Sequence, residues 1–576
     1  MRLAAIALAL LDLALQAQAQ AVFAHVIVGN TYAYSQADWA SDIRAAAAAG
    51  IDGFALNIGF LDTVSGTKPV IPALNNAYNA ADAAGFKLFI SFDYLAQGPW
   101  DAADVVNVLN QYNSHPSAYK WANTGKPVAS TFEGPGNAGD WVSIKQQTNT
   151  FFIPDYSSQG PSGAASFAAV DGLFSFAAWP NGPNDMTISA DQQYVQALNG
   201  KPYMMPVSPW FYTNLPAFDK NWLWRGDDLW HQRWQQVLEI NPPLVEILTW
   251  NDYGESHYVG PLPPAAIQSQ SLPTGSWYVE NIPHNAWLND LPYYIAQYKK
   301  QPLPNENHVT IWYRLNPGTA CSADGTPCNT VTQGQTQFAP QQCDVDAIYF
   351  TAFVPSSATA TVHVTIGNNA PVSVTAGAPG IFHSSVPFNG QTGAVSISVT
   401  ASGGINIGPV ACPAITTACN NGNVNWNAPL TATPSCKMAF AQRHFYTPET
   451  SFTPLFRLLE DFDNYSRPGN VQQQGRRSDL THWQPKSDMR ETDSAYELHG
   501  ELPGMSKENV NVEFTDPQNM LISGKIERTY TSGTPPTGAL EGTAMRGKIA
   551  EGSEGQTKPS SSEATTENAT EDTAKY

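Results

Sequence analysis

The sequence predicts an α/β fold, a (β/α)8 barrel, followed by an all-β, sandwich-like domain and a partly disordered tail. The barrel is predicted because short apolar, β-prone runs alternate with segments of helical periodicity, a pattern typical of parallel strands joined by helices. Eight such units fit within residues 20–305, which is the usual size of this barrel. A doubly wound open sheet is the alternative, because a count of strands does not by itself predict closure.

Each predicted strand is a short apolar run bounded by polar or turn-forming residues. These runs are residues 22–29, 53–59, 87–94, 126–133, 150–156, 171–179, 201–209 and 244–255. The helical candidates between them have apolar residues spaced three and four apart. They include residues 35–49, 101–114, 188–198 and 227–240, and residues 287–300 would form the eighth helix.

The N-terminus has the pattern of a secretory signal peptide at residues 1–19. Met1-Arg2 precedes a mostly apolar run, and Ala17-Gln18-Ala19 is a small-x-small cleavage pattern. Asp12 interrupts the apolar run, and a buried first helix is the alternative. We therefore expect secretion to the cell exterior or cell wall, and no later run of about 18 apolar residues predicts a membrane span.

The composition argues against two classes of partner. The formal charge of -20 and the pI near 4.8 would repel nucleic-acid backbones and anionic lipid surfaces. Aromatic residues make up 11% of the chain and charged residues only 14%, which suits a folded protein that handles sugar rings or other apolar faces. We expect a polysaccharide partner, and neither nucleic acid nor a membrane.

Residues 310–436 predict the β domain. Runs at 347–354, 360–366 and 394–400 alternate as sandwich strands do. All six cysteines lie in this region, at positions 321, 328, 343, 412, 419 and 436. An even, clustered set in a chain with an export signal predicts disulfides, with the pairing left open. Zinc is the alternative, but no two-residue cysteine spacing supports it.

The tail begins at residue 438, where the composition shifts to Arg, Glu, Asp and Gln. Within residues 438–528, a short amphipathic helix is predicted at 455–462 and strands at 496–502, 510–514 and 520–526. Residues 529–576 are dominated by Gly, Ser, Thr, Pro and Glu, which bury too little apolar surface to fold. We expect this last segment to be disordered.

The functional residues of such a barrel project from the C-terminal ends of its strands. The predicted ends carry polar or aromatic side chains, namely Asn57, Asp93, Glu133, Asp155, Trp179, Trp210, Trp250, Asn251, Asp252, Tyr253 and Glu255. Hydrolysis of a glycosidic bond needs one protonated carboxylic acid and one ionised carboxylate, and aromatic faces stack on sugar rings. The pattern therefore predicts a glycoside hydrolase.

The sharpest feature at these ends is the pair Asp252 and Glu255. Gly254 permits a turn that brings both carboxyl groups toward one cleft. A separation of roughly 6.5–9.5 Å would give inversion and a tighter turn retention, and simple capping of the turn is the alternative. Asp93 ends a very apolar strand, so catalysis and a structural salt bridge are both open. The expected substrate-binding residues are Asn57, Glu133, Asp155, Trp179, Trp210, Trp250, Asn251, Tyr253 and His257.

Four ordered segments, 22–31, 50–57, 89–93 and 249–256, resemble fungal glycoside hydrolase family 71, the α-1,3-glucanases or mutanases. The resemblance extends from about residue 22 to about residue 430. It implies endo-hydrolysis of α-1,3-glucan with inversion and without a metal or organic cofactor. It also implies that Asp93, Asp252 and Glu255 are the important acids. We prefer Glu255 as proton donor and Asp252 as base, with Asp93 in support, although residue type leaves that assignment open. A non-catalytic cell-wall glucan binder is the alternative.

Part of the tail resembles a fungal small heat-shock protein. Residues 483–486, 493–504 and 509–523 are similar to the first strands of an α-crystallin domain that is incomplete here. This implies unfolded clients or heat-shock subunits as partners, and a cytoplasmic location if the segment is expressed separately. A disulfide-bearing secreted enzyme and an intracellular chaperone belong in different compartments. We therefore interpret the junction at residues 436–438 as a fused gene prediction, with a genuine fusion as the alternative.

Overall fold

The computed structural model describes residues 20–60, 70–96, 98–263, 276–354, 359–376, 380–432, 487–491, 496–500, 510–516 and 519–524. The predicted signal peptide, the predicted helix at 455–462 and the predicted disordered segment 529–576 lie outside these residues. The chain divides into two compact units, residues 1–448 and 449–576.

Eight parallel strands form the first part of unit one. They are β1 (Ala21–Ile27), β2 (Gly53–Gly59), β3 (Lys87–Asp93), β4 (Val128–Phe132), β5 (Phe151–Phe152), β6 (Leu173–Phe174), β7 (Tyr203–Val207) and β10 (Leu244–Ile247). Neighbours pair in the order β5-β4-β3-β2-β1-β10-β7-β6. The two ends of this row also meet, because Phe174 N donates to Pro154 O at 2.9 Å and Asp155 bridges to both Phe132 and Phe174. The predicted barrel fold is confirmed.

Helices connect the strands. They are α1 (Gln36–Ala48), α2 (Val70–Ala84), α3 (Ala102–Tyr112), α4 (Asp140–Thr148), α5 (Gly160–Ala165), α6 (Ser189–Leu198), α7 (Leu229–Ile240) and α8 (Leu291–Tyr298). Helix α1 begins at a capping box, in which Ser35 Oγ accepts from Asp38 N and Asp38 Oδ2 accepts from Ser35 N. In the part of the chain that the structure describes, no helix combines the length and apolar character needed to cross a bilayer.

The barrel interior is apolar toward the N-terminal ends of the strands and polar toward their C-terminal ends. Side chains alternate along each strand, so every second residue points inward. The lower layers are a buried cluster that includes Phe23, Phe89 and Met204. Nearer the C-terminal ends of the strands the buried residues are polar, among them His25, Asn57, Ser91 and Glu246. The alternation thus delivers polar groups to the rim where a site is expected.

A two-stranded hairpin, β8 (Tyr212–Leu215) and β9 (Lys220–Leu223), lies between β7 and α7. It was not predicted from the sequence. A short helical turn, Pro216–Phe218, connects its strands. The hairpin matters because it carries Lys220 to the C-terminal rim of the barrel.

The predicted β domain is a sandwich of two four-stranded antiparallel sheets. Its strands are β11 (His308–Trp312), β12 (Ala347–Val354), β13 (Ala360–Ile366), β14 (Val372–Thr375), β15 (Gly380–Pro387), β16 (Gly393–Ala401), β17 (Ile405–Ile415) and β18 (Leu430–Ala432), with a short helix α9 (Pro340–Cys343). The sheets have the orders β15-β12-β11-β18 and β14-β13-β16-β17. Val362, Val364, Ile397 and other side chains fill the core between them.

The predicted disulfides are present. Cys321 is bonded to Cys419 and Cys328 to Cys343. Cys412 is also disulfide-bonded, while Cys436 lies outside the described residues. These two bonds anchor residues 321–343, a segment that we call the disulfide loop, and Cys328–Cys343 closes its second part, residues 328–343.

The barrel and the sandwich share one continuous core within unit one. Trp210 Nε1 donates to Trp426 O at 3.1 Å, and Trp312 Nε1 donates to Asp227 O at 2.8 Å. Gly226 has no Cβ because the Trp210 ring occupies that space, only 2.3 Å from where a Cβ would lie. Such packing fixes the loops after β7 against the sandwich.

Four strands are described in unit two. They are β19 (Ser487–Glu491), β20 (Tyr496–Gly500), β21 (Val510–Asp516) and β22 (Asn519–Gly524). β19 pairs with β20 and β21 with β22, both antiparallel. The three strands predicted in the tail overlap β20, β21 and β22.

Candidate active site

The loop after β10, residues 249–260, carries two of the expected acids, and we call it the acid loop. The strand itself ends at Ile247, eight residues before the predicted end at 255, because the loop closes on itself. Thr249 N donates to His257 O at 2.7 Å, and Val259 N donates back to Thr249 O at 2.8 Å. These bonds hold the two ends of the loop together, so its apex has a defined shape.

Asn251 and Trp250 fasten the acid loop to the barrel. Asn251 Oδ1 accepts from Ile27 N at 2.8 Å, and Asn251 Nδ2 donates to Ile27 O at 3.0 Å. Trp250 Nε1 donates to Asp42 Oδ2 at 3.0 Å. Both side chains are buried, at 0% and 1% exposure. They therefore support the loop and do not line a cleft, unlike the expectation that they bind substrate.

Asp252, Glu255 and His257 meet at the apex of the acid loop. His257 Nε2 lies 3.1 Å from Glu255 Oε2 and 3.7 Å from Asp252 Oδ2. One potential ligand atom from each residue lies within 4.8 Å of the others, so these three residues could reach a single cation. The Asp252 side chain is 24% exposed and that of Glu255 17%, so both open to solvent at the rim.

Lys220 reaches the same acids from the hairpin. Its Nζ lies 2.6 Å from Glu255 Oε1. Although burial opposes ionisation of Glu255, the charge of Lys220 and the hydrogen bond from His257 lower the pKa of Glu255 to about 2. Burial, and then the charge of Glu255, raise the pKa of Asp252. Asp252 therefore holds a proton more readily than Glu255, opposite to the assignment preferred from the sequence.

Asp93 ends β3 and is held in a tight turn. Its Oδ1 accepts from Leu95 N at 2.9 Å and from Ala96 N at 2.7 Å. Burial raises the pKa of Asp93, while these backbone bonds, the charge of His25 and a hydrogen bond from Asn57 act in the opposite direction. Asn57, on neighbouring β2, thus contacts Asp93, and its binding of substrate stays a prediction.

The charges of three acids act on one cation, because Glu255, then Asp252, then Asp93 raise the pKa of Lys220. Asp93 ends β3, and the acid loop follows β10 in the same parallel barrel. The C-terminal ends of parallel strands lie at one rim. Asp93 and the acid loop therefore lie at the same rim, although 158 positions separate residues 93 and 251 of the sequence and the hairpin comes from a third segment.

His25 and Glu246 form a buried pair, and the charge of His25 acts on Asp93. His25 Nδ1 lies 2.6 Å from Glu246 Oε1, and both side chains are almost fully buried. Burial raises the pKa of Glu246, and the contact with His25 partly offsets that shift. The pair is a buried polar layer below the rim, and only the inward position of Glu246 in β10 could have marked it from the sequence.

Trp179 lies against His257, the neighbour of the two acids in the acid loop. Its ring contacts His257 edge-on at 5.2 Å between centroids and stacks on Trp224 at 5.2 Å. Its Nε1 donates to Trp210 O at 3.0 Å, and the side chain is partly exposed. Phe211 also stacks on the His257 ring, with 5.6 Å between the ring centroids. Together these rings form an aromatic wall beside the acid loop.

The other expected binding residues have structural contacts instead. Trp210 and Tyr253 are buried at 1% exposure. Glu133 accepts hydrogen bonds from the backbone N and the hydroxyl of Ser158. Asp155 is fully buried at the closure of the barrel, and burial together with the charge of Glu133 raises its pKa to about 8. Burial keeps Trp210, Tyr253 and Asp155 away from solvent, whereas Glu133 is partly exposed and holds the segment at Ser158.

Two exposed apolar side chains lie two positions in sequence from residues of the rim. Phe218, 63% exposed, precedes Lys220 by two positions on the hairpin turn. Leu95, 66% exposed, follows Asp93 by two positions. Sequence reasoning missed both, and also Lys220, because nothing local marks a hairpin residue as a neighbour of a distant acid.

A closed parallel barrel with three acids, a lysine and an aromatic wall at its C-terminal rim is the arrangement of a barrel-type glycoside hydrolase. Comparison with known proteins gives the family. The family model described as glycosyl hydrolase family 71 matches residues 18–442, and the chain belongs to that family.

Two similar proteins cover most of unit one. A mutanase from Penicillium rubens is 36% identical over 405 residues, which is 68% of this chain and 84% of that protein. A glucan endo-1,3-alpha-glucosidase from Schizosaccharomyces pombe is 37% identical over 320 residues, covering 52% of this chain and 71% of that protein. The chain is therefore a glycoside hydrolase.

The tail is similar to a different protein. A 30 kDa heat shock protein from Neurospora crassa is 50% identical over 107 residues, which is 17% of this chain and 47% of that protein. The chain thus spans about half the length of this heat shock protein. The predicted resemblance of the tail to fungal small heat-shock proteins is confirmed.

Proposed function

We propose that the enzyme hydrolyses α-1,3-glucan within the chain, using Asp252, Glu255 and Asp93. The observation that carries this proposal is the cluster of Asp252, Glu255, His257 and Lys220 at the barrel rim where β3 also ends in Asp93. The substrate is inferred from the names of the relatives, a mutanase and a glucan endo-1,3-alpha-glucosidase. Trp179 supports it, because a partly exposed indole beside the acids offers a stacking face for a glucose ring.

In the proposed reaction Asp252 is the proton donor and Glu255 the base. Glu255, ionised beside Lys220, accepts a proton from water as the water oxygen attacks the anomeric carbon. Asp252 gives its proton to the glycosidic oxygen as the bond between that oxygen and the anomeric carbon breaks. Asp93 adds negative charge near the developing oxocarbenium ion. The products are two shorter glucans, and a later proton exchange with solvent restores both carboxyl groups.

Inversion is proposed from the family resemblance. The nearest oxygens of Asp252 and Glu255 lie no more than 4.8 Å apart, shorter than the roughly 6.5–9.5 Å between carboxyl groups that an attacking water requires. Inversion therefore requires the two side chains to separate when substrate and water enter. Their partial exposure, 24% and 17%, leaves room for this movement.

We also propose that the enzyme is secreted. The support is chemical, since two described disulfides and a further bonded cysteine are typical of an oxidising compartment. Mass spectrometry of the culture medium tests it: an N-terminal peptide that begins near residue 20 is expected, and detection of the chain only inside cells would contradict secretion.

The substrate proposal is tested with the full chain on four insoluble or soluble glucans of α-1,3, α-1,4, β-1,3 and β-1,4 linkage. Reducing sugar should appear from the α-1,3 polymer, and the first products should be oligosaccharides rather than glucose. Proton NMR during the first turnovers should show the β-anomer at the new reducing end. Activity confined to another linkage would refute the substrate, and a first product of α-configuration would refute inversion.

A second function is proposed for unit two alone. The support is its 50% identity to a heat shock protein over 107 residues, together with the two described antiparallel hairpins. If this segment acts as a chaperone, the full chain should slow heat-induced aggregation of a client such as citrate synthase. Aggregation at the same rate with and without the chain would reject this second function.

A further inference from the structure

The hairpin β8–β9 delivers a single positive charge to a rim of negative ones. Lys220 is the first residue of β9, and its Nζ touches Glu255 Oε1 at 2.6 Å. The groups that face it are Glu255 and Asp252 from the acid loop and Asp93 from the end of β3, with His257 behind Glu255. Without this cation, three carboxyl groups would lie at one partly buried rim with no positive charge from the hairpin. Simultaneous ionisation of all three would then be unfavourable.

The hairpin is fixed from both sides, so the position of Lys220 is defined. On the barrel side, Asn214 N donates to Tyr278 Oη at 3.3 Å, and Tyr278 Oη donates to Gly254 O in the acid loop at 2.7 Å. Tyr278 therefore links the hairpin directly to the loop that carries Glu255.

On the other side, the disulfide loop adds a strand-like edge to β9. Leu223 N donates to Pro327 O at 3.0 Å, and Asn329 N donates to Leu223 O at 2.9 Å. Thr326 Oγ1 donates to Asn221 Oδ1 at 2.7 Å, one position beyond Lys220. Cys328 lies between Pro327 and Asn329 and is bonded to Cys343, so a disulfide anchors this edge.

We propose that Lys220 is a positioning residue of the reaction, which keeps the Glu255 carboxylate ionised and in place while Asp252 retains its proton. This inference rests on the proposed function of the two acids. It assigns to the hairpin a role that neither its sequence nor the family's acids imply. It also implies that the disulfide loop contributes indirectly to the reaction, because that loop holds β9, and with it Lys220, in position.

The chemistry follows from charge alone. A carboxylate beside an ammonium stays ionised in acid, since protonation would remove the attraction between the two opposite charges. Loss of the cation would let Glu255 take up a proton at a higher pH, and its base function would disappear there. Substitution of Lys220 should therefore move the acid limb of the pH profile, which a merely structural change would not do.

The experiment compares four full-length variants, namely Lys220→Met, Lys220→Gln, Lys220→Arg and the control Lys120→Met. Lys120 is exposed between α3 and β4, so its loss changes the net charge equally without touching the rim. For each variant, kcat and KM on soluble α-1,3-linked oligosaccharides are measured against pH. Folding at each pH is checked by circular dichroism, and each sample is then returned to neutral pH to measure the activity that it recovers.

For Lys220→Met and Lys220→Gln we expect a lower kcat, little change in KM, and an acid limb that moves from about 2 toward the ordinary glutamate value near 4.5. Lys220→Arg should retain the wild-type limb, and so should Lys120→Met. An unmoved acid limb in a folded Lys220→Gln protein, with Glu255→Gln inactive, would overturn this inference and leave the proposed function intact. Full activity of Glu255→Gln would instead overturn the proposed function.

Discussion

Lys220 and Glu255 lie 2.6 Å apart although 35 positions separate them in the sequence. One residue begins a hairpin strand inserted after β7, and the other lies at the apex of the loop after β10. Their contact joins two connections of the barrel that run over the same rim. It also separates the pKa values of two neighbouring acids, lowering that of Glu255 while Asp252 keeps a raised one.

The pH dependence of the wild-type enzyme follows from these shifts. The pKa of Glu255 lies near 2, so the base stays ionised until strongly acidic conditions. Asp252, whose pKa is raised, loses its proton as pH rises, and the donor is lost with it. We expect kcat/KM to stay level in acid and to fall toward alkaline pH. A profile that rises toward alkaline pH would contradict this assignment of the proton.

Asp93 is predicted to assist without exchanging a proton. Asp93→Asn keeps the shape of the side chain and removes its charge, while the amide oxygen can still accept from Leu95 N and Ala96 N. Loss of kcat should be clear but smaller than for either Asp252 or Glu255, whose acid–base roles contribute about 10²–10⁴-fold. Steady-state kinetics checks this, and a pH profile that loses one limb would show that Asp93 itself transfers a proton.

Phe218 is predicted to contact the substrate. Phe218 lies on the hairpin turn two positions before Lys220, and an aromatic side chain that is 63% exposed gains stability when a sugar ring covers it. Phe218→Ala should raise KM several-fold, an effect of about 1 kcal/mol, with kcat nearly unchanged. The matched control is Val331→Ala, which removes an equally exposed apolar side chain, 65%, from the disulfide loop. Equal KM values for the two variants would contradict the prediction.

The bond between Cys328 and Cys343 is predicted to support both stability and turnover. It closes a segment of 15 residues, for which the chain-entropy model gives about 3 kcal/mol. The double variant Cys328→Ser, Cys343→Ser should melt at a lower temperature. Well below that temperature it should still show a lower kcat, because the segment that pairs with β9 loses its disulfide anchor. A lowered melting temperature with unchanged kcat would show that the disulfide stabilises the fold but does not contribute to the role of the hairpin in turnover.

Much of the barrel is readable from the sequence because its strands are buried on both faces. The run at 53–59 matches β2, and the helix predicted at 227–240 overlaps α7, with buried Trp230 and Trp234 one turn apart on its inner face. In the sandwich, the runs at 347–354 and 360–366 coincide with β12 and β13. Strong periodicity made these elements predictable.

Other features depend on contacts between distant segments. The hairpin strands are four residues long and joined by a proline-containing turn, so no periodicity develops. The predicted strand at 244–255 stopped early because Thr249 bonds to His257, which no local pattern reveals. Trp210 and Trp250 were expected to bind sugar, but tertiary packing buried them. Residue type identified the acids, whereas only the fold brings Lys220 to them.

The most direct measurement compares Asp252→Asn and Glu255→Gln on two substrates. One substrate is α-1,3-glucan, and the other is the α-fluoride of an α-1,3-linked glucose oligosaccharide, whose leaving group needs no proton. Both variants should lose about 10²–10⁴-fold in kcat on glucan, while only Asp252→Asn should retain substantial turnover of the fluoride. Near-normal glucan turnover by both variants, or retention of fluoride turnover by Glu255→Gln alone, would contradict the account.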